Sequence, residues 1–348
     1  MKKVYTLLFL LLSLPCVAQI PPGYYNSASG LQGTVLRSAL HTIIDGHNQQ
    51  TYPLWTHFIA TDAKGNTKVW DIYSDKPGQT PPYEYSLVAN QCGNYSAEGD
   101  CYNHEHTWPS SYFNDEFPAR SDLFHIYPTD GWVNNKRSNY AYGVVSNPTY
   151  TSQNGSKLGP NTYPGYSGTV FEPLDSFKGD LARSYFYMAT RYYTEDGTWN
   201  DWAMSNKTEL KQWAINMLLE WHTNDPVSQK ELDRNEAVYT IQDNRNPFID
   251  HPEYAYCIWG ICNTSVAEVL TTQPQVILYP NPASSSLHIR STAAATMDVY
   301  NMHGQIMYHG DTPPAEDMQL NIEQWPAGIY FLRAVSPAGQ STHRFSVN

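Results

Sequence analysis

The sequence predicts an α+β protein in which a mixed, helix- and loop-rich domain precedes a small all-β sandwich. Up to Asn263, three segments show helical periodicity and are separated by long loops rich in turn residues. Beyond residue 275, short apolar runs alternate with turns, which is the pattern of an antiparallel sandwich. A chain of 348 residues is also long enough for two domains of about 150 residues each.

Helical spacing appears first between residues 31 and 45, where apolar side chains recur at every third or fourth position. Residues 180–191 predict a second helix, and 209–221 predict a third that ends before Asp225-Pro226. The second segment carries several aromatic residues, which at helical spacing are more typical of a core than of a surface that stacks bases. We therefore expect these helices to build the core of the first domain.

The composition excludes some classes of protein. Hydrophobic residues make up 41% of the chain and charged residues 16%, so a globally disordered chain is excluded. The formal net charge is −12, of which residues 276–348 contribute −2, so the first domain is itself acidic. Such a charge argues against tight electrostatic binding of nucleic acid, because proteins that bind duplexes normally carry a basic surface.

Residues 1–18 have the organisation of a secretory signal peptide. Lys2 and Lys3 precede an apolar run over 4–14, and Ala18 ends a segment with small residues at the cleavage position. The run is too short to cross a hydrocarbon layer of about 30 Å, so stable membrane insertion is not expected. Lipoprotein cleavage before Cys16 is the alternative, which Pro15 disfavours. We expect export through the periplasm to the exterior or to the cell surface.

Export determines how the cysteines are interpreted. After the loss of Cys16 four remain, and an even number in an oxidising compartment predicts disulfides. Three pairings are formally open, and the short spacings favour Cys92–Cys101 and Cys257–Cys262. A zinc site is the alternative, but neither pair has the CxxC spacing typical of structural zinc.

The predicted domains are 19–263 and 276–348, joined by a linker over 264–275 that lacks aromatic residues and glycine. The strand-like runs of the second domain cover 276–279, 287–289, 297–300, 305–308, 329–332 and 344–347. At 279–283, 299–304 and 326–331 this domain resembles the C-terminal sorting domain of bacterial type IX secretion substrates. The resemblance implies recognition by outer-membrane secretion machinery and carries no chemistry. An accessory sandwich that binds carbohydrate or cell wall is the alternative.

The densest polar cluster of the first domain lies between residues 98 and 139. It includes His104-Glu105-His106 and, further along the chain, Asn134. In a regular strand His104 and His106 face one side and Glu105 the other, which would offer two imidazoles to zinc. If the chain bends there, Glu105 and His106 converge and give one oxygen ligand beside one general base. The residues alone leave both arrangements open.

Residues 30–260 resemble the bacterial endonuclease I family of secreted nucleases, whose core is a His-Me finger, or ββα-metal, motif. The matching stretches include Glu105-His106-Thr107-Trp108-Pro109, Val133-Asn134 and Arg137-Ser138-Asn139. Further matches occur at 91–95, 98–101, 127–131, 154–159, 170–173, 178–183, 187–192 and 245–249. So many blocks in the same order make the resemblance specific.

The resemblance implies a secreted endonuclease that hydrolyses the phosphodiester bonds of DNA, RNA or both with little sequence preference. His106 matches the general base that activates water, a role suited to a neutral imidazole with a pKa of about 6.5. Glu105 and Asn134 match the ligands of one Mg²⁺, with Mn²⁺ or Ca²⁺ as alternative ions, because these cations prefer oxygen ligands. The implied products carry 5′-phosphates, and we expect a monomer.

Two departures from the family affect the assignment of the site. Related enzymes often have Asp-Leu-His-His where this chain has Asp122-Leu123-Phe124-His125. Some relatives also place a phosphate-binding Arg between the base and the Asn ligand, an interval in which this chain offers Arg120. The full set of basic residues that we predict to contact substrate phosphates is Arg120, Arg137, Lys157, Lys178 and Arg183.

Two other functions stay open at this point. A scaffold that has lost activity would leave a nuclease-like surface protein that binds glycan or protein, which only the change at Phe124 favours. A zinc hydrolase that uses His104 and His106 is the other alternative.

Overall fold

The computed structural model describes residues 20–65, 67–262, 276–291, 294–313, 317–336 and 339–348. The chain divides into two compact units, Met1–Asn263 and Thr264–Asn348. The predicted signal peptide over 1–18 and the predicted linker over 264–275 lie outside the described residues. Within the described ranges, the first unit contains helices and strands and the second contains strands alone, so the α+β class with an all-β second part is confirmed.

The three predicted helices are present in the first unit, with ends that differ from the prediction by a few residues. Apolar side chains such as Leu36 and Leu40 face the core and are fully buried. The α-helices are α1 (Gly33–Ile44), α2 (Phe58–Thr61), α3 (Gly131–Arg137), α4 (Lys178–Arg191), α5 (Gln212–Asn224), α6 (Gln229–Gln242), α7 (Pro247–Asp250) and α8 (Glu253–Trp259). Short 3-10 helices cover Asn26–Ala28, Ser110–Phe113, Ala119–Ser121 and Asp175–Phe177.

Helix α6 is one that the sequence analysis does not identify. It begins with a capping box, in which the Ser228 hydroxyl accepts from the Glu231 backbone and the Glu231 carboxylate accepts from the Ser228 backbone. The Ser-x-x-Glu spacing is a recognised start signal for a helix. The weak apolar periodicity that follows it explains why a search for periodic apolar residues misses this helix.

The strands of the first unit are short and pair in small sheets. They are β1 (Ala63–Lys64), β2 (Lys68–Val69), β3 (Tyr102–His106), β4 (Ile126–Asp130), β5 (Ala141–Tyr142), β6 (Tyr150–Thr151), β7 (Lys157–Pro160), β8 (Thr169–Glu172), β9 (Ser205–Asn206) and β10 (Glu209–Leu210). The largest of these sheets has the strand order β5-β8-β7-β6, in which β5 runs parallel to β8. The hairpins β1-β2, β3-β4 and β9-β10 are antiparallel.

Helix α4 lies at the centre of the core of the first unit. Every residue from 179 to 191 is buried, and the rings of Tyr185, Phe186 and Tyr187 have no exposed surface. This confirms that the aromatic residues of the helix are core residues rather than a platform for bases.

Arg183 of helix α4 is also fully buried, which corrects its prediction as a phosphate contact. Its Nε and Nη2 bind the two carboxylate oxygens of Glu231 on α6, the latter at 2.8 Å. Its Nη1 donates to the Asp225 carbonyl at 2.9 Å. A guanidinium enclosed in this way has no surface that a substrate phosphate could reach.

Both predicted disulfides, Cys92–Cys101 and Cys257–Cys262, are present. The first closes the loop that leads into β3, and it packs against Gly131, the first residue of α3. A Cβ atom at Gly131 would lie 2.5 Å from the Cys92 sulfur, so only glycine fits there. The Gly131 amide also donates to the Cys101 carbonyl at 2.9 Å, which ties the start of α3 to the start of β3.

The second unit is a small sandwich of two antiparallel sheets, with strand orders β11-β12-β15 and β14-β13-β16-β17. Its strands are β11 (Val276–Tyr279), β12 (Ser286–Ser291), β13 (Ala295–Asn301), β14 (Ile306–Thr312), β15 (Asp317–Asn321), β16 (Gly328–Ser336) and β17 (Gly339–Val347). Alternate residues such as Leu287, Ile289, Met297 and Val299 form the core. Strand β15 was not predicted, because Met318 and Leu320 alone give it little apolar character.

The structure predicts that stability falls as the pH falls from about 6.5 to about 4, because His222 is buried as a neutral imidazole. Its Nδ1 lies 3.3 Å from Arg183 Nη1 and must accept, while its Nε2 donates to the Pro252 carbonyl at 2.9 Å. Burial, reinforced by the charge of Arg183, lowers the pKa of His222 to about 4. Between the two pKa values the unfolded chain binds a proton that the folded chain does not, which costs up to about 3 kcal/mol of stability.

Urea denaturation at pH 7 and pH 4.5 measures this effect. The variant His222→Gln, which removes the titrating ring, is expected to lose less stability between the two pH values than the wild type. His251→Gln, at a more exposed histidine beside Glu253, is the matched control and should behave like the wild type. An identical pH dependence for His222→Gln and the wild type would contradict the assignment.

Candidate active site

An antiparallel hairpin followed by a helix carries the candidate residues. Strand β3 pairs with β4 so that Tyr102 lies opposite Asp130 and His106 lies opposite Ile126. Asp130 then caps the following helix, because its Oδ1 accepts from the Val133 amide at 2.7 Å. The resulting β-β-α order, made of β3, β4 and α3, is the arrangement that the family resemblance implies.

Strand β3 is regular along its whole length, so its side chains alternate between two faces. Asn103 and Glu105 contact residues of helix α3. His104 and His106 face the other side, where the Tyr52 ring lies 5.0 and 6.1 Å from their respective rings. The structure thus selects the unbent of the two arrangements that the sequence leaves open. Glu105 and His106 are consecutive residues whose side chains point to opposite faces.

Glu105 is a buried carboxylate that is held by three donors. The Tyr73 hydroxyl donates to its Oε1 at 2.9 Å, the Tyr142 hydroxyl at 3.2 Å, and Arg137 Nη1 lies 2.8 Å from the same atom. Burial raises the pKa of Glu105, and the positive charge of Arg137 opposes that shift. Because all three contacts end at Oε1, the second oxygen, Oε2, is left for a further partner.

Asn134 projects from helix α3 towards the same face of β3. Its Nδ2 donates to Asn103 Oδ1 at 2.7 Å and to the His104 carbonyl at 3.2 Å. Both partners are acceptors, so the amide nitrogen must face the strand and its Oδ1 makes no hydrogen bond to the described residues. Asn134 Oδ1 and Glu105 Oε2 are therefore two hard oxygens on one side of the hairpin, a donor set that fits a divalent cation such as Mg²⁺.

His106 is held in one tautomer by the backbone. Its Nε2 lies 3.2 Å from the Arg120 carbonyl, which can only accept, so this nitrogen carries the proton and Nδ1 carries the lone pair. Burial, with a further contribution from His125, lowers the pKa of His106 to about 3. Burial thus shifts the pKa of His106 below the value of about 6.5 of an unperturbed imidazole. The ring is nevertheless neutral at pH 7, with Nδ1 available to accept a proton.

His104 does not offer a second imidazole to a metal. Its Nε2 accepts a hydrogen bond from the Leu54 amide at 3.0 Å, and its ring packs 3.9 Å from the ring of Trp55. Burial lowers its pKa to about 3, in keeping with a neutral imidazole. Because the Nε2 lone pair is already used, the zinc alternative lacks the ligand pair that it requires.

Arg120 is the basic candidate that adjoins His106. It lies in the 3-10 helix Ala119–Ser121, and its own backbone carbonyl accepts the hydrogen bond from His106 Nε2. Its guanidinium lies over the Tyr52 ring at 5.2 Å, and it forms no hydrogen bond or ion pair with any residue that the structure describes. A cation without a carboxylate partner beside the base is suited to bind a phosphate.

Arg137 is placed differently from its predicted role as a phosphate contact, and this is a correction. The side chain is 1% exposed and lies between α3 and β3. Besides Glu105, its Nη1 contacts the His106 carbonyl at 2.9 Å, and its Nη2 donates to the Thr107 carbonyl. The guanidinium is therefore occupied by the site's own residues.

The two candidate lysines lie near carboxylates of another part of the domain. Lys178 Nζ lies 2.8 Å from Glu172 and 2.6 Å from Asp175. Lys157 Nζ lies 3.4 Å from Glu172 and is 40% exposed. Their role as phosphate contacts stays a prediction, and their charges are shared with these acidic partners.

Another cluster of metal-type ligands among the described residues consists of His41, Asp45 and Glu195. The Arg191 guanidinium already contacts both of its carboxylates, at 2.8 Å from Asp45 and 3.0 Å from Glu195. This cation offsets part of the negative charge of the two carboxylates and occupies the space between them, so the cluster carries no separate metal assignment.

Sequence reasoning misses Tyr73 and Tyr142, the two hydroxyls that contact Glu105. They lie 32 and 37 residues away from it along the chain. Tyr142 follows the Arg-Ser-Asn block by three residues, but no spacing rule connects either tyrosine with a buried carboxylate.

The comparisons with known proteins identify the family of each part of the chain. The family model described as Endonuclease I matches residues 32–253, and the one described as Secretion system C-terminal sorting domain matches residues 277–348. The extracellular ribonuclease of Bacillus amyloliquefaciens is 36% identical over 250 residues, which cover 68% of this chain and 78% of that protein. The extracellular ribonuclease of Bacillus subtilis is 34% identical with the same coverage. Endonuclease-1 of Buchnera aphidicola is 30% identical over 137 residues, which cover 39% of this chain and 46% of that protein.

Among the described residues, no helix has the length and apolar character needed to cross a membrane. The sorting domain and the extracellular relatives support secretion. Because the family match spans more than half of the chain, the chain belongs to the endonuclease I family and is a secreted endonuclease with a C-terminal sorting domain.

Proposed function

We propose that this endonuclease hydrolyses the phosphodiester bonds of both DNA and RNA by the attack of water. The reaction uses one divalent cation, and we propose that Mg²⁺ is the physiological ion. One observation carries the proposal. Two consecutive residues present complementary groups: Glu105, with Asn134, offers free oxygens to a cation, and His106 offers a neutral imidazole with a free Nδ1. The relatives named ribonuclease support RNA as a substrate, and the relative named endonuclease supports internal cleavage of the nucleic-acid chain.

The opposite directions of Glu105 and His106 suit in-line displacement. In such a reaction the attacking and the leaving oxygen lie on opposite sides of the phosphorus atom. A phosphodiester bound across the end of strand β3 would meet the imidazole on one side and the ligand pair on the other. Glu105 and His106 can therefore act on the same phosphodiester from opposite faces of strand β3, without a bend in the strand.

In the proposed chemical step, His106 takes up the proton that the attacking water loses. His106 Nδ1 accepts the proton of the attacking water, the new P–O bond forms, and the P–O3′ bond breaks to leave a 5′-phosphate and a 3′-oxyanion, which takes a proton from a second water molecule to become the 3′-hydroxyl. The bound cation supplies stabilisation of the negative charge on the phosphate and on the leaving oxygen. An anionic phosphate beside the ring would raise the pKa that burial lowers, and so would favour the transfer of the proton to the imidazole. The Arg120 carbonyl stabilises the resulting imidazolium through Nε2–H.

Arg120 is proposed to bind a phosphate next to the scissile bond. Its charge has no carboxylate partner among the described residues, and its backbone already contacts His106. It would therefore offset part of the negative charge that an acidic domain presents to nucleic acid.

The removal of the base tests the proposal most simply. The wild type is incubated with plasmid DNA and with RNA, in Mg²⁺ or in EDTA, beside His106→Ala. We expect Mg²⁺-dependent cleavage of both substrates and a loss of about 10²–10⁴-fold in the variant. Cleavage of DNA is informative because DNA lacks the 2′-hydroxyl that could otherwise act as nucleophile. His251→Ala, at a histidine outside the hairpin, is the control. Intact substrates with wild-type protein and Mg²⁺, or full activity in His106→Ala, would refute the proposal.

Salt dependence tests the role of Arg120. Removal of one phosphate contact reduces the slope of log affinity against log salt concentration by about 1. We expect Arg120→Ala to show this change in KM measured over a range of NaCl concentrations. Lys157→Ala is measured beside it, because Lys157 is also predicted to contact a phosphate although its charge lies beside Glu172. A changed slope in Lys157→Ala with none in Arg120→Ala would move the phosphate contact to the lysine.

A further inference from the structure

The contacts of the Glu105 carboxylate come from three separate parts of the first unit. Tyr73 follows strand β2, Arg137 ends helix α3, and Tyr142 belongs to strand β5. Their polar atoms lie 2.9, 2.8 and 3.2 Å from the same oxygen, Oε1. All four side chains are buried. Oε1 of Glu105 is therefore surrounded, whereas Oε2 has no such contact with the residues that the structure describes.

The two tyrosines also contact each other, with 2.8 Å between their hydroxyl oxygens. Each hydroxyl has one proton to donate. The two protons are therefore shared among three close oxygen pairs, which are Tyr73 with Glu105, Tyr142 with Glu105, and Tyr73 with Tyr142. At least one of these protons reaches the ionised Glu105, and the other either reaches it directly or passes along the pair. The arrangement is a small hydrogen-bond network whose acceptor is Glu105.

We infer that Tyr73, Tyr142 and Arg137 are positioning residues for the metal ligand Glu105. By occupying Oε1 they fix the rotation of the carboxylate, so that Oε2 alone faces the cation site. Mg²⁺ requires near-ideal octahedral geometry, and a carboxylate that is free to rotate or to bind through both oxygens meets that requirement poorly. The inference rests on the proposed function, in which Glu105 is a ligand.

A second observation fits this role. The Arg137 guanidinium also binds the carbonyls of His106 and Thr107. The Arg137 side chain that orients the carboxylate therefore also binds the backbone at the end of strand β3, where His106 lies. One side chain therefore contacts both the carboxylate of the ligand and the backbone of the base.

The tyrosines provide the test, because a change at Arg137 would leave a buried carboxylate without its counter-charge and would disturb folding. Tyr142→Phe and Tyr73→Phe each remove one hydroxyl and keep the ring. Tyr127→Phe is the matched control: it is a buried tyrosine of strand β4 whose hydroxyl contacts Ser184 instead of Glu105. The probe is Mn²⁺ alone, titrated into the full chain by calorimetry, with thermal unfolding of each variant recorded beside it.

Outer-shell partners of metal ligands contribute about 10–100-fold in affinity. We therefore expect Tyr142→Phe and Tyr73→Phe to bind Mn²⁺ about 10-fold more weakly than the wild type, while Tyr127→Phe binds it as the wild type does. Cleavage by the two variants should recover as Mn²⁺ is raised. If both bind Mn²⁺ with wild-type affinity and are only less stable, the hydroxyls merely satisfy a buried carboxylate and the inference is wrong.

Glu105→Gln separates this inference from the proposed function. If that variant keeps wild-type Mn²⁺ affinity, Glu105 is not a ligand and the proposed function fails at this residue. If it loses the affinity while both tyrosine variants keep it, the ligand assignment stands and the positioning role alone is overturned.

Discussion

A buried ion pair between Arg137 and Glu105 joins the helix and the strand that carry the active site. The removal of two charges from water is costly, and the cost is offset only when further hydrogen bonds satisfy both groups. Here Tyr73 and Tyr142 donate to one oxygen of the carboxylate, and the guanidinium donates to the carbonyls of His106 and Thr107, while its buried Nε has no partner among the described residues. The loss of one partner of such a pair costs about 3–5 kcal/mol. The packing of α3 on β3, and with it the place of Asn134, depends on this interaction.

The same preference for buried pairs limits the positive charge that the first unit presents to nucleic acid. Several arginines of the first unit are buried in ion pairs and are not exposed to a substrate. They are Arg37, Arg137, Arg183, Arg191, Arg234 and Arg245, and each contacts at least one carboxylate. The net charge of −12 is therefore not relieved by a broad basic surface. Substrate binding is expected to be weak and salt-sensitive, and to depend on a divalent cation and a local charge such as Arg120.

Features of the fold that are encoded locally could be predicted from the sequence, and features that depend on burial could not. Periodicity identifies helices α1, α4 and α5, and short spacing identifies both disulfides. Burial decides the rest: Arg183 and Arg137 look like surface charges in the sequence and are core residues in the structure. The low pKa of His106 has the same cause, because residues distant in sequence enclose its ring.

Family resemblance assigned Glu105, His106 and Asn134, and the structure adds how each is oriented. The regularity of β3 could not be inferred from His104-Glu105-His106, because bent and straight strands share that sequence. Pairing with β4 over all five residues keeps it straight. Tyr73 and Tyr142 reach Glu105 only through the tertiary fold, so no local pattern marks them.

The central claim is that Glu105 Oε2 and Asn134 Oδ1 together hold one divalent cation. A crystal of the protein soaked in Mn²⁺ and measured near the manganese absorption edge tests it directly, because the anomalous signal locates the ion independently of any functional assay. We predict one strong peak at about 2.1 Å from both oxygens. A peak between His104 and His106, a peak at His41, Asp45 and Glu195, or no peak beside Glu105 would contradict the claim.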